Sequence, residues 1–139
     1  MRVFLDTNVI MDALVESRQM HDCSSSIMKL GRKDEVKLYT SSLAIADVAY
    51  LTHKNYTLAE WKKIARGMLD RCKVLALGDF DIYLAAKSVC PDFEDAMQIS
   101  IAETECDVIV TNNVQHFDGY TCLPVMTPAD FIDHITTGA

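Results

Sequence analysis

Residues 2–14 read RVFLDTNVIMDAL, and the pattern changes at a single acid, Asp6. Before it stands a short apolar run, RVFL, with the character of a strand. After it, Val9, Ile10, Ala13 and Leu14 recur on one stripe, which predicts a helix from residue 7 to about residue 16. An aspartate at such a junction has a plain explanation, because Asp ends strands and caps helices. It has another if the strand belongs to a parallel sheet, where ligands bind beyond the carboxyl ends of the strands.

Working outward, a second helical stretch from about residue 22 to residue 30 stops at Gly31. Residues 37–40 form a candidate strand, and Ser41 and Ser42 a candidate cap for a helix reaching about residue 53. Thr57-Leu-Ala-Glu60 is a capping box that opens the most amphipathic helix of the chain. Its apolar stripe is Trp61, Ile64, Ala65, Met68 and Leu69. A strand at 73–77 (KVLAL) and a helix at 80–89 follow, then a break at Pro91-Asp92. A helix runs from there to about residue 105, and VIVT at 108–111 is the most strand-like run. The chain closes with a short strand near 124–126 and a helix opened by Thr127-Pro128. Short apolar strands alternating with helices predict an α/β fold with a central, mainly parallel sheet of four to five strands flanked by helices.

Composition narrows the class. A length of 139 residues fits one domain spanning 1–139, and 50% hydrophobic residues suffice for a packed core. No apolar run approaches the roughly 20 residues of a membrane helix. The start of the chain lacks the pattern of a signal peptide. Cys23, Cys72, Cys90, Cys106 and Cys122 are odd in number and form no CxxC, which points to reduced thiols and a cytoplasmic setting. The charge is lopsided: all 13 Lys and Arg lie at or before Lys87, while residues 88–139 hold 9 acids and neither Lys nor Arg.

Some of those acids sit where chemistry would need them. Asp6 ends the first strand, and Asn112-Asn113 follow the strand that ends at Thr111. In Asp92-Phe-Glu-Asp95 the last acid falls at the third helical position, above Ile99 and Ala102. In LAIADVAYL (43–51) Asp47 interrupts an otherwise apolar run, although burying an unpaired charge costs several kcal/mol. Each has an ordinary reading: Asp92 as a cap, Asp95 as a partner of the helix dipole, Asp47 as a boundary residue. Those readings give no reason for several acids to face one crevice. Neighbouring carboxylates raise one another's pKa values, and a hard divalent cation, Mg²⁺ or Mn²⁺, relieves the conflict.

FLDTNVIMD, SSLAIADVAYL, DFEDAMQISIAE and DVIVTNN with nearby Phe117, in that order, resemble the successive motifs of the PIN domain family. The closing TPADFIDHI is similar to the tail of its toxin-like bacterial branch. The resemblance implies a PIN-like, three-layer α/β/α fold and a metal-dependent ribonuclease, often the toxin of a VapBC-type toxin–antitoxin pair. It implies cleavage to 5′-phosphate and 3′-hydroxyl ends, a small antitoxin partner and a homodimer. It places Asp6, Asp95, Asp47 and Asn113 in the catalytic and metal-binding set, with Asp92 as an auxiliary ligand and Asn8 and Thr111 as supporting polar residues. Asp47 stands where the family usually has Glu, and Asn113 where Asp is frequent. The first is one methylene shorter; the second offers oxygen without charge.

Lys62, Lys63 and Arg66, on the amphipathic helix, are candidates to track an RNA backbone, or they form a solvated outer face. The four histidines show no metal-ligand spacing and are assigned no role. Two other functions compete with the nuclease: a PIN-like module that binds RNA or protein without cutting, and phosphoryl transfer to a strand-end Asp. The latter would use a late lysine, and none follows Lys87.

Overall fold

The computed structural model describes residues 1–31 and 35–138. Five strands form one sheet: β1 (Arg2–Leu5), β2 (Lys37–Ser41), β3 (Cys72–Leu75), β4 (Val108–Val110) and β5 (Val125–Met126). Their spatial order is β3-β2-β1-β4-β5, and every pairing is parallel. The helices are α1 (Thr7–Leu14), α2 (His21–Leu30), α3 (Ser42–Leu51), α4 (Leu58–Arg71), α5 (Asp79–Lys87), α6 (Phe93–Glu105), α7 (Val114–Phe117) and α8 (Pro128–Thr137). None is long and apolar enough to cross a membrane.

Two-residue alternation along the strands builds three layers. Val3, Leu5, Leu38, Val108 and Val110 face one core, packed with Val9, Ile10, Ile27, Val48, Met68 and Phe131. Phe4, Tyr39 and Ile109 face the other, packed with Ile99, Ile101, Ala102 and Phe117. The central strand is therefore buried on both sides, which accounts for its unbroken apolar run. The chain passes from β1 to β2 on one side and returns to β4 on the other, so the carboxyl ends of β1 and β4 border the switch point where such sheets open a crevice.

The local signals operate as chemistry dictates. Ser41 Oγ accepts from Ala44 N, Thr57 and Glu60 complete a capping box, and Thr127 caps α8 with Pro128 in the first turn. Gly31 ends α2 for want of space: a Cβ there would stand 2.6 Å from the carbonyl oxygen of Arg71. Two boundaries differ from the sequence expectation. Helix α4 runs straight into β3, which starts at Cys72 because Cys72 pairs with Leu38 and ends at Leu75 opposite Ser41. The short α7 has no counterpart in the sequence pattern, since four residues carry too little periodicity to read.

Candidate active site

Asp6 is held through both of its carboxylate oxygens. It is the N-cap of α1, with Oδ1 accepting from Thr7 N at 2.8 Å. Its other oxygen accepts from Asn8 Nδ2 at 3.0 Å and from Thr111 Oγ1 at 2.8 Å. The residue is only 6% exposed. Burial pushes its pKa up, and the bonds from Thr111, Thr7 and Asn8 pull against that rise. Hydrogen bonds to a charged group are worth about 1.5–3 kcal/mol each. Three of them are comparable to the several kcal/mol that burying a carboxylate costs. Asn8 and Thr111 thus hold this acid in place. Thr111 Oγ1 also accepts from Asn113 N at 3.0 Å, which fixes the turn after β4.

Asp95 enters from α6. Asp92 caps that helix, accepting from Asp95 N at 2.9 Å, and Ser41 Oγ donates to Gln98 Oε1 at 2.6 Å one turn further on. The second of these bonds ties α6 to the end of β2. Burial, Asp92 and Asp6 together push the Asp95 carboxyl up to about 6, in that order of weight. His116 opposes the shift with Nδ1 3.7 Å from Asp95 Oδ2. Two segments far apart in sequence therefore present their carboxylates to each other.

Asp47 stands beside a residue that the sequence reading passed over. Glu94 interacts with Asp47 through a side-chain hydrogen bond, and its carboxyl is pushed up to about 8. That hydrogen bond is the largest cause, followed by burial and by the charges of Asp47, Asp92 and Asp95. The acids thus run in sequence from Asp6 through Asp95 and Glu94 to Asp47. Asp47 does not figure among the groups acting on Asp95 or Asp6.

Among the described residues, no three His, Cys, Asp or Glu side chains converge closely enough to cage a metal ion. An open seat is a different matter. Mg²⁺ keeps several waters and often takes only one or two carboxylates plus substrate phosphate. Asp6 and Asp95 are hard oxygen donors with mutually unfavourable charge, so the donor set fits such a seat. Asn113 opens α7 at the same edge.

Other placements were not legible. His116, assigned no role from spacing, reaches the site because α7 carries it there. Asp12 is buried and binds Arg18 and Asn112. Lys62, Lys63 and Arg66 lie on α4, and none figures among the groups acting on Asp6, Glu94 or Asp95. Lys63 instead lines a cavity of about 390 Å³ with Ile10, Leu14 and Met28.

A fully parallel, three-layer α/β fold with acids at its switch point is the architecture that the motif order implies. The PIN domain model matches residues 2–115, and the chain belongs to that family. No curated protein sequence matches it. Solved structures share the fold at low identity. VapBC-1 from nontypeable Haemophilus influenzae superposes with a TM-score of 0.67 at 16% identity, covering 93% of this chain and 99% of that one. VapBC2 from Rickettsia felis, bound to a DNA fragment from their promoter, gives 0.66 at 17% identity, covering 90% and 97%. The Mycobacterium tuberculosis VapC20, a sarcin–ricin loop cleaving toxin, gives 0.61 at 13% identity, covering 77% and 86%.

Proposed function

We propose that this chain, taken as one domain over residues 1–139, is a metal-dependent endoribonuclease and the toxin of a toxin–antitoxin pair acting in the cytoplasm. The observation that carries the reading is that Asp6 lies near enough for its charge, after burial and Asp92, to help raise the Asp95 carboxyl to about 6. Membership of the PIN domain family and the VapC-like fold support it.

Asp6 and Asp95 would hold Mg²⁺ or Mn²⁺, with Asn113, Asp92 and Asp47 at the margins of the seat. When bound, the ion supplies Lewis acidity, neutralising phosphate charge and acidifying the attacking water. Thr111 and Asn8 orient Asp6 and favour its charged form by donating to it, against the upward pull of burial. Burial of Asp6 keeps bulk water from screening it. His116, when protonated, offsets part of the negative charge at Asp95.

A second reading, a module that binds without cutting, is favoured by the position of Asp47, paired with Glu94 rather than grouped with Asp6 and Asp95. A cleavage assay with Mn²⁺ and a mixed-sequence RNA ladder separates the two. Cleavage abolished by Asp6→Asn and by Asp95→Asn is the expected result; metal binding without cleavage of any RNA would support the module.

The net charge of −7 and the uncompensated acids of the crevice suit a small antitoxin that inserts a basic side chain. Growth arrest on expression of the chain alone, relieved by the partner, is the expected phenotype. A homodimer is expected from the same branch of the family and is tested by sedimentation.

A further inference from the structure

Beside the acid crevice lies a second polar site, centred on Asp12. This carboxylate is 3% exposed and sits in α1, on the turn after Asn8. Its Oδ1 accepts from Arg18 Nε and its Oδ2 from Asn112 Nδ2, each at 2.5 Å. Its backbone oxygen is 2.8 Å from His21 Nδ1. One buried acid thereby joins α1, the loop that follows it and the turn after β4.

Two features make this more than a structural tie. First, Arg18 is bound through Nε alone, and its two terminal nitrogens have no hydrogen-bond partner among the described residues. Its side chain is 41% exposed. A guanidinium held from behind by a buried carboxylate keeps its outer donors aimed and charged, the arrangement that binds phosphate oxygens. Second, a cavity of about 500 Å³ opens beside it, lined by Arg18, Gln19, Met20, Asn112 and Thr127 together with Asp12, whose charge Arg18 meets through Nε. That volume falls in the range of small-ligand sites.

The cavity is coupled to the crevice. Asn112 N donates to Asn8 Oδ1, and Asn8 Nδ2 donates to Asp6 Oδ2. Asp6, Asn8, Asn112, Asp12 and Arg18 thus form a continuous chain of hydrogen bonds from the first acid to the cation. Elsewhere around the sheet, Arg2 and Lys73 are consumed by Asp107 and Glu105 at the amino ends of β1 and β3. Arg18 is a cation with free donors beside an acid-lined crevice, where a polyanion needs one.

We infer that the Arg18 cavity seats a nucleotide flanking the scissile bond of RNA, with Arg18 on its phosphate and Gln19 against its base. The inference rests on the reading of the chain as an RNA-directed protein and adds the subsite that holds the strand. Asp12 is the positioning residue behind Arg18, and Asn112 sets the distance between subsite and crevice.

The test is anisotropy of a fluorescein-labelled, mixed-sequence single-stranded RNA in EDTA, where cleavage does not interfere, across a salt series. Arg18→Ala is expected to weaken binding about ten-fold and to reduce the salt slope by about 0.7, the contribution of one phosphate contact on a single strand. Gln19→Glu, which leaves the Asp12–Arg18 pair intact, is expected to weaken binding as well and decides the matter if Arg18→Ala does not fold. Wild-type affinity and slope in both variants, or no RNA binding by the wild-type chain, overturn the subsite. RNA binding that depends on Arg18 without cleavage in Mn²⁺ keeps the subsite and removes the nuclease reading. Cleavage in Mn²⁺ with binding indifferent to Arg18 does the reverse.

Discussion

At the amino ends of the strands, Arg2 holds Asp107 with Nη2 at 3.1 Å from Oδ1, and Lys73 holds Glu105 at 3.0 Å. At the carboxyl ends, the charge of Asp6 acts on Asp95, while Asp47, Asp92 and Asp95 act on Glu94. The same residue type behaves oppositely at the two edges. The Arg2 guanidinium holds the Asp107 carboxyl below its usual range, while burial and the neighbouring acids raise that of Asp95 to about 6. One edge has its charges neutralised from within the chain. Among the described residues the acids of the other meet only His116, beside Asp95, the pattern expected of a site rather than of a scaffold.

If that contrast is real, a cation should matter at one edge only. Mn²⁺ or Mg²⁺ at a hundred-fold excess over its Kd is expected to stabilise the protein by about 2.7 kcal/mol, read as a rise in melting temperature. Asp6→Asn or Asp95→Asn should erase that rise, and an unchanged melting temperature in the wild type would break the comparison. Next in size, Thr111→Val removes the hydroxyl that donates to Asp6. Loss of such a supporting bond is expected to lower metal affinity or cleavage by about 10–100-fold, measured by titration calorimetry and RNA cleavage.

The metal-free protein sharpens the contrast further through pH. Raised carboxyl pKa values mean that the fold binds these protons more tightly than the unfolded chain does. The stability from Asp95 and Glu94 is therefore complete below about pH 4. It is lost as the pH rises through about 6 for Asp95 and about 8 for Glu94. A melting temperature in EDTA that falls between these limits is expected, and Glu94→Gln should flatten the upper half of the fall. Asp107 has the opposite sign: its lowered pKa gives stability that is present near neutrality and is lost as the pH drops below about 4. Smallest of all, Arg2→Ala should leave the melting temperature at pH 7 nearly unchanged, because exposed ion pairs contribute little. A large loss would mean that the amino edge is a strained site of its own.

Much of this was legible in the chain itself. The switch from strand to helix at Asp6, the capping box at Thr57 and Glu60, and the proline-led helix after Thr127 are local signals, and local hydrogen bonds realise them. The first-turn position of Asp95 above Ile99 and Ala102 follows from helical periodicity, and both apolar residues are buried. The Asp47–Glu94 pair was not legible. It depends on α3 and α6, which pack into opposite cores, both reaching the carboxyl end of β2, and Glu94 is adjacent in sequence to an acid that the pattern already explained. Arg18 was hidden for a related reason: a loop residue shows no periodicity, and its partner Asp12 reads as an interruption of a helix stripe until Asn112 arrives from β4.

By itself, then, the amino-acid order determined the strands, the helices, their caps and the order of the acid-bearing motifs, because these depend on neighbours within a few residues. Which acids would meet, and which would pair with cations, was decided only when the parallel sheet brought its edges together. Electrostatic energies vary with distance in space, and separation along the chain does not encode that distance.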